Sequence, residues 1–116
     1  MNEEIKEPSN LVELTDGNIS LGRWKNKDQN KSYYRALQDK DLMGIKDEDS
    51  KDKAVMKVTQ DWLLAYSVWN GSGFLKGDTL EKTYENIQEL DIMEATVLGK
   101  AFNKFATDMV ESIKKK

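Results

Sequence analysis

Cysteine and histidine are both missing from this chain of 116 residues. Without cysteine there are no disulfides, no thiolate metal sites and no thiol nucleophile. Without histidine the commonest general base and the commonest metal ligand are gone as well. Catalysis would have to rest on carboxylates, lysines, tyrosines or a borrowed cofactor, and no cofactor or metal site is expected. Long apolar runs are lacking too, since none approaches the roughly 20 residues that span a bilayer. The opening segment "MNEEIKEPSN" is acidic and has no apolar stretch of the secretory kind. The simplest compartment is therefore cytoplasm. The single proline, Pro8, ends what reads as a loose leader over residues 1–9.

What is present suits one compact domain over residues 10–116. Hydrophobic residues make up 38% and charged residues 34%, a polar balance that still permits a core. The formal net charge of −3 gives solubility without long-range attraction to nucleic acid.

Periodicity supplies the elements. "NLVELTDGNISLGRW" reads as a hairpin over 10–24, with Val12 and Leu14, then Ile19 and Leu21, alternating with polar neighbours. Asp16-Gly17 is the expected tight turn. A helix follows over about 28–43, with Asp28 as its cap, Tyr33 and Leu37 on its buried face and Gly44 as its stop. "KDEDSKDK" from Lys46 reads as a solvated loop. A helix over about 53–69 then carries Val55, Thr59, Trp62, Tyr66 and Trp69 on one face, with a strand at 54–59 as the competing reading because Val55 and Val58 are β-branched. "NGSGFLKG" is a connector. Asp78 and Glu81 form a capping box for a short helix over about 79–89, and Asp91 with Glu94 does the same for 92–114. In that last helix Leu98, Phe102, Phe105, Met109 and Ile113 make one stripe. The terminal lysines 114–116 meet the negative end of its dipole. The expected class is α+β and mainly α-helical, an N-terminal β-hairpin packed on a small helical bundle.

Motifs that would carry chemistry fail on inspection. Gly17 and Gly22 have the phosphate-loop interval, but Arg23 and Trp24 stand where Lys and a hydroxyl residue are required. "GSGFLKG" has Lys76 in place of the third glycine of a dinucleotide fingerprint. A calcium loop starting at Asp47 would meet Asp52 at the glycine position and Val58 at the glutamate position. Two constellations remain. Arg23, Lys25, Lys27, Lys31 and Arg35 interleave with Trp24, Tyr33 and Tyr34, the mixture that single-strand binders use; the acidic balance of the whole chain weighs against it. Trp69, Phe74 and Leu75, beside a glycine-rich joint, are candidate anchors for a protein partner, with Trp24 as a second contact. Trp69 also reads as an ordinary half-buried ring at a helix end.

The segments "WLLAYSVWNGSGFL", "LEKTYENIQELD" and "ATVLGKAFNKFATDMVESIKKK" resemble the small tail assembly chaperones of tailed bacteriophages and related baseplate assembly helpers. Leu90-Asp91 and Phe102/Phe105 occupy matching places, and "ISLGRWKNKDQNK" resembles the short opening strand of many phage assembly proteins. The resemblance implies a non-catalytic, mostly helical protein of the host cytoplasm. It would coat the tape-measure protein, often as an oligomer, until tail-tube subunits replace it. Alternative expectations are a single-stranded nucleic-acid binder and a phage-encoded inhibitor of a host or defence protein, with the acidic loop mimicking nucleic acid.

Overall fold

In a computed structural model of the chain, residues 10–114 are described. The leader expected over 1–9, the side chains of Ile113 and Lys114, and Lys115 and Lys116 lie outside the described residues. The elements run β1 (Leu11–Leu14), β2 (Gly17–Ser20), α1 (Asn26–Leu37), α2 (Lys40–Met43), α3 (Glu48–Asn70), β3 (Ser72–Gly73), α4 (Leu80–Gln88) and α5 (Ile92–Lys114). The class is α+β and mainly α-helical, with the hairpin at the N-terminal end.

Alternation drives the hairpin. Val12 pairs with Ile19, and both point into the core, while Leu11 and Glu13 point out. The register pairs Leu14 with Gly17, so Thr15 and Asp16 form the turn, one residue earlier than expected. Positive φ falls on Gly17 (φ 151°) and not on Asp16. A third strand was not anticipated. β3, inside the expected connector, adds antiparallel to β2 through Ile19–Gly73 and Ser20–Ser72, giving the order β1-β2-β3.

α3 is the axis of the molecule. Its residues Leu63–Val68 are all buried, because α1, α4 and the β2–β3 ladder approach it from different sides. The main core joins Val12, Ile19 and Leu21 of the hairpin to Leu63, Leu64, Ala65 and Val68 of α3, to Leu75 and Ile87, and to Leu98, Phe102 and Phe105 of α5. The expected α5 stripe is thus the buried one, with Met109 packed at its edge.

Several expectations are corrected. The helix expected over 28–43 is two: α1 stops at Leu37, and Asp39 starts α2 by accepting the Asp41 N–H at 2.9 Å. Asp28 is not the cap but the third helical residue, whose carboxylate accepts the Lys25 N–H at 2.9 Å. Nor do Tyr33 and Leu37 face inward. The buried series is Asp28, Ser32 and Ala36, small groups that let α1 lie close on α3. The charged run after Lys46 is mostly helix: Asp47 accepts from Ser50 N at 3.0 Å and Ser50 Oγ at 2.7 Å, and α3 begins at Glu48. Thr79, not Asp78, caps α4 by accepting the Lys82 N–H. Asp91 does cap α5 by accepting the Glu94 N–H at 2.9 Å. Glu94's carboxylate instead accepts the Thr15 N–H at 3.0 Å, tying α5 to the hairpin turn.

Candidate functional site

The anchors expected from sequence fall in separate settings. Leu75 is a correction: it is 3% exposed, because it joins the main core with the hairpin, α3 and Ile87 instead of facing solvent. Trp24 is half-buried beside α5, its ring 5.3 Å from Phe102 and 6.4 Å from Phe105. Phe74 is 42% exposed and lies over Gly17, where a Cβ would come within 3.2 Å of its ring. Trp69 is half-buried, and the Lys76 ammonium sits 5.1 Å from its ring centroid.

Trp69 opens on a cleft of about 310 Å³ lined also by Arg23, Lys25, Lys27, Asp28, Tyr66 and Asn70. A backbone junction builds it. Gly22 donates its N–H to the Ser67 carbonyl at 2.7 Å, and the buried Ser67 hydroxyl donates back to the Gly22 carbonyl at 2.8 Å. Asn70 Nδ2 donates to the Arg23 carbonyl at 3.0 Å. Those bonds hold the segment leaving β2 against the last turns of α3, so the Arg23–Lys27 cations stand beside Trp69. Arg35 does not join them. Its guanidinium lies 4.4 Å from the Trp62 centroid and 3.5 Å from Glu81 Oε1. Tyr84 stacks on the same indole at 3.9 Å. At those two distances the groups would collide on one face, so Trp62 is held between α1 and α4.

A larger groove of about 470 Å³ runs between α3, α4 and the start of α5. Leu64, Ile87, Leu90, Ile92 and Ala95 supply its apolar lining, and Lys57, Asp61, Gln88 and Thr96 its polar rim. Beside it Ile92 and Met93 are 80% and 77% exposed, with Val97 one turn further on. The sequence reading missed these residues. A signal was available: on a helical wheel, Ile92 and Met93 stand well away from the Leu98–Phe102–Phe105 stripe.

Asp61, on the groove's rim, has its carboxyl pushed above its usual 3.8 by burial, against the pull of the Lys57 ammonium at 3.5 Å. Tyr84 is pushed up by its own burial, then by the charges of Asp61 and Asp39. A raised carboxylate value means that the folded chain holds a proton the unfolded chain has released, so stability falls as pH rises through that interval. Asp61→Asn is therefore expected to melt higher than the parent at neutral pH. The gap should close as pH falls to the ordinary value of 3.8 and below. Thermal melts of both proteins across that range check it; a variant that melts lower at neutral pH would show that the Lys57 ion pair outweighs burial.

Among the described residues, no group of three or more acidic side chains is placed to hold a metal ion. No described helix is long and apolar enough to cross a membrane. Compared with family models, with curated proteins and with solved structures, the chain matches none.

Proposed function

We propose that this chain is a non-catalytic protein-binding factor, acting as a chaperone for a phage tail protein such as the tape measure. What supports the reading is the apolar edge at the start of α5. Ile92 and Met93 are the most exposed large hydrophobics among the described residues, and they border a groove floored by Leu64, Ile87 and Leu90. Exposing two such side chains together is unfavourable in a protein that binds nothing. The client surface that fits is an amphipathic helical segment. Its apolar side chains would enter the groove, and its polar side chains would meet Lys57, Asp61, Gln88 and Thr96 on the rim. In this reading the partner surface moves from Trp69 and Phe74 to the α5 edge, and the chain works by covering client surface.

Co-expression with the tape-measure protein of a phage carrying this chain tests the proposal. The client should stay soluble and co-purify with the parent chain. The doublet Ile92→Glu, Met93→Glu should release it while melting normally, since both positions are exposed. Retention of the client by the folded doublet, or a client equally soluble alone, would refute it.

A further inference from the structure

A second surface is organised by charge. Lys25 occupies the position just before α1, with no side-chain bond to the helix, and Lys27 sits in its first turn. Cations there face the positive end of the helix dipole, so neither lysine serves the stability of α1. Lys31 follows Lys27 by one turn, and Tyr34 lies three residues beyond Lys31, placing all three on one outward ridge. All four residues are exposed, Tyr34 by 62%, with the Tyr33 ring beside it at 6.1 Å. None of the three ammonium groups is in an ion pair among the described residues. Where the ridge begins, it runs into the cleft lined by Arg23, Lys25, Lys27, Tyr66, Trp69 and Asn70. Between residues 23 and 34 there are four cations and one carboxylate, Asp28, in a chain of net charge −3. Asp28 is buried and accepts the Lys25 N–H. Beyond Lys31, Arg35 turns away to Trp62 and Glu81, which ends the basic ridge.

We propose that this ridge and cleft form a binding track for single-stranded nucleic acid. Phosphates lie against Lys25, Lys27 and Lys31, and unpaired bases stack on Tyr34 and Tyr33. Cations alone would serve an acidic peptide equally well. Two solvent-facing rings set beside the cations favour a ligand with planar faces to stack. A duplex hides those faces, so the strand must be single. From Lys27 to Tyr34 the helix rises about 10 Å, which matches roughly three nucleotides at stacked spacing. The track uses no residue of the α5 groove and stands independently of the protein-binding reading.

Fluorescence anisotropy of the full chain with labelled oligothymidylate and oligouridylate tests this, over salt from about 50 to about 200 mM. Three lysine–phosphate contacts should give a log–log salt slope near about −2. The doublet Lys27→Glu, Lys31→Glu should weaken binding by at least roughly tenfold and flatten the slope. Tyr34→Ala should weaken it roughly fivefold or more and leave the slope unchanged, a pattern that general loss of charge would not give. Lys100→Glu, on the exposed side of α5, should bind as the parent does. Thermal melts check that each variant folds. No binding at the lowest salt, competition by polyglutamate as strong as by oligonucleotide, duplex bound as tightly as single strand, or Tyr34→Ala without effect would each overturn the proposal.

Discussion

Gly71→Ala is expected to lower the melting temperature by roughly 10 °C or more, as about 3 kcal/mol of lost stability would in a domain of this size. The reason is a backbone crossing. A Cβ at Gly71 would fall on the Ser20 carbonyl oxygen and within 3.0 Å of the Gly22 nitrogen. Gly22 is the reciprocal case, since its Cβ would lie 2.5 Å from the Asn70 carbonyl carbon and oxygen. The end of β2 and the end of α3 pass each other with no side chain between them. The Gly22–Ser67 and Asn70–Arg23 hydrogen bonds hold that contact closed. An alanine must force the two backbones apart, adding overpacking of about 1–3 kcal/mol to the loss of hydrogen bonds worth roughly 1 kcal/mol each. A different glycine makes the comparison: Gly99, in mid-helix, has nothing within 4 Å of where its Cβ would be. Gly99→Ala should therefore stabilise the protein by about 0.5–1 kcal/mol through helix propensity. Melts of the two variants side by side check both signs. A Gly71→Ala variant that melts like the parent would show that the two backbones can part at little cost.

Phe102→Ala should destabilise the protein by about 3–5 kcal/mol, the usual cost of emptying a large buried ring site. Phe102 is buried where α5 meets the hairpin, and its ring lies 5.3 Å from Trp24. The Leu98–Phe102–Phe105 stripe ties α5 to the core, and the Glu94–Thr15 bond ties its start to the hairpin turn. Losing this ring should also leave Trp24 more exposed to water, so native fluorescence should shift to the red. Chemical denaturation followed by tryptophan emission reads both effects. A loss of under about 1 kcal/mol, well below the range for a buried ring, would mean that α5 packs through other residues.

Much of the fold was legible locally. Alternation at Val12 and Ile19 marked the hairpin, the Leu98–Phe102–Phe105 spacing marked the buried side of α5, and Asp91 marked its start. Helical spacing alone points Tyr33 and Leu37 inward. The face that packs is instead Asp28–Ser32–Ala36, chosen by how closely α1 can approach α3. Hydrophobicity measures what a side chain gains on burial, whereas close helix contact rewards small size. β3 escaped notice because a strand of two residues has no period, and its partner β2 lies some fifty residues earlier in the chain. The basic ridge was partly visible as the Arg23–Arg35 run. Its membership changed because Arg35 found Trp62 and Glu81, and because the junction at Gly22 brought Trp69 beside Lys25 and Lys27.

From the amino-acid order alone came the lack of imidazole and thiol, the N-terminal hairpin, and the bounds of the last two helices. Each depends on residue identity or on neighbours within a turn or two. Packing between distant segments decided which rings are covered, that Leu75 is core, and that Ile92, Met93 and Tyr34 are left to solvent. Burial is a property of pairs of surfaces, and the second surface of each pair comes from a part of the chain that local periodicity cannot see.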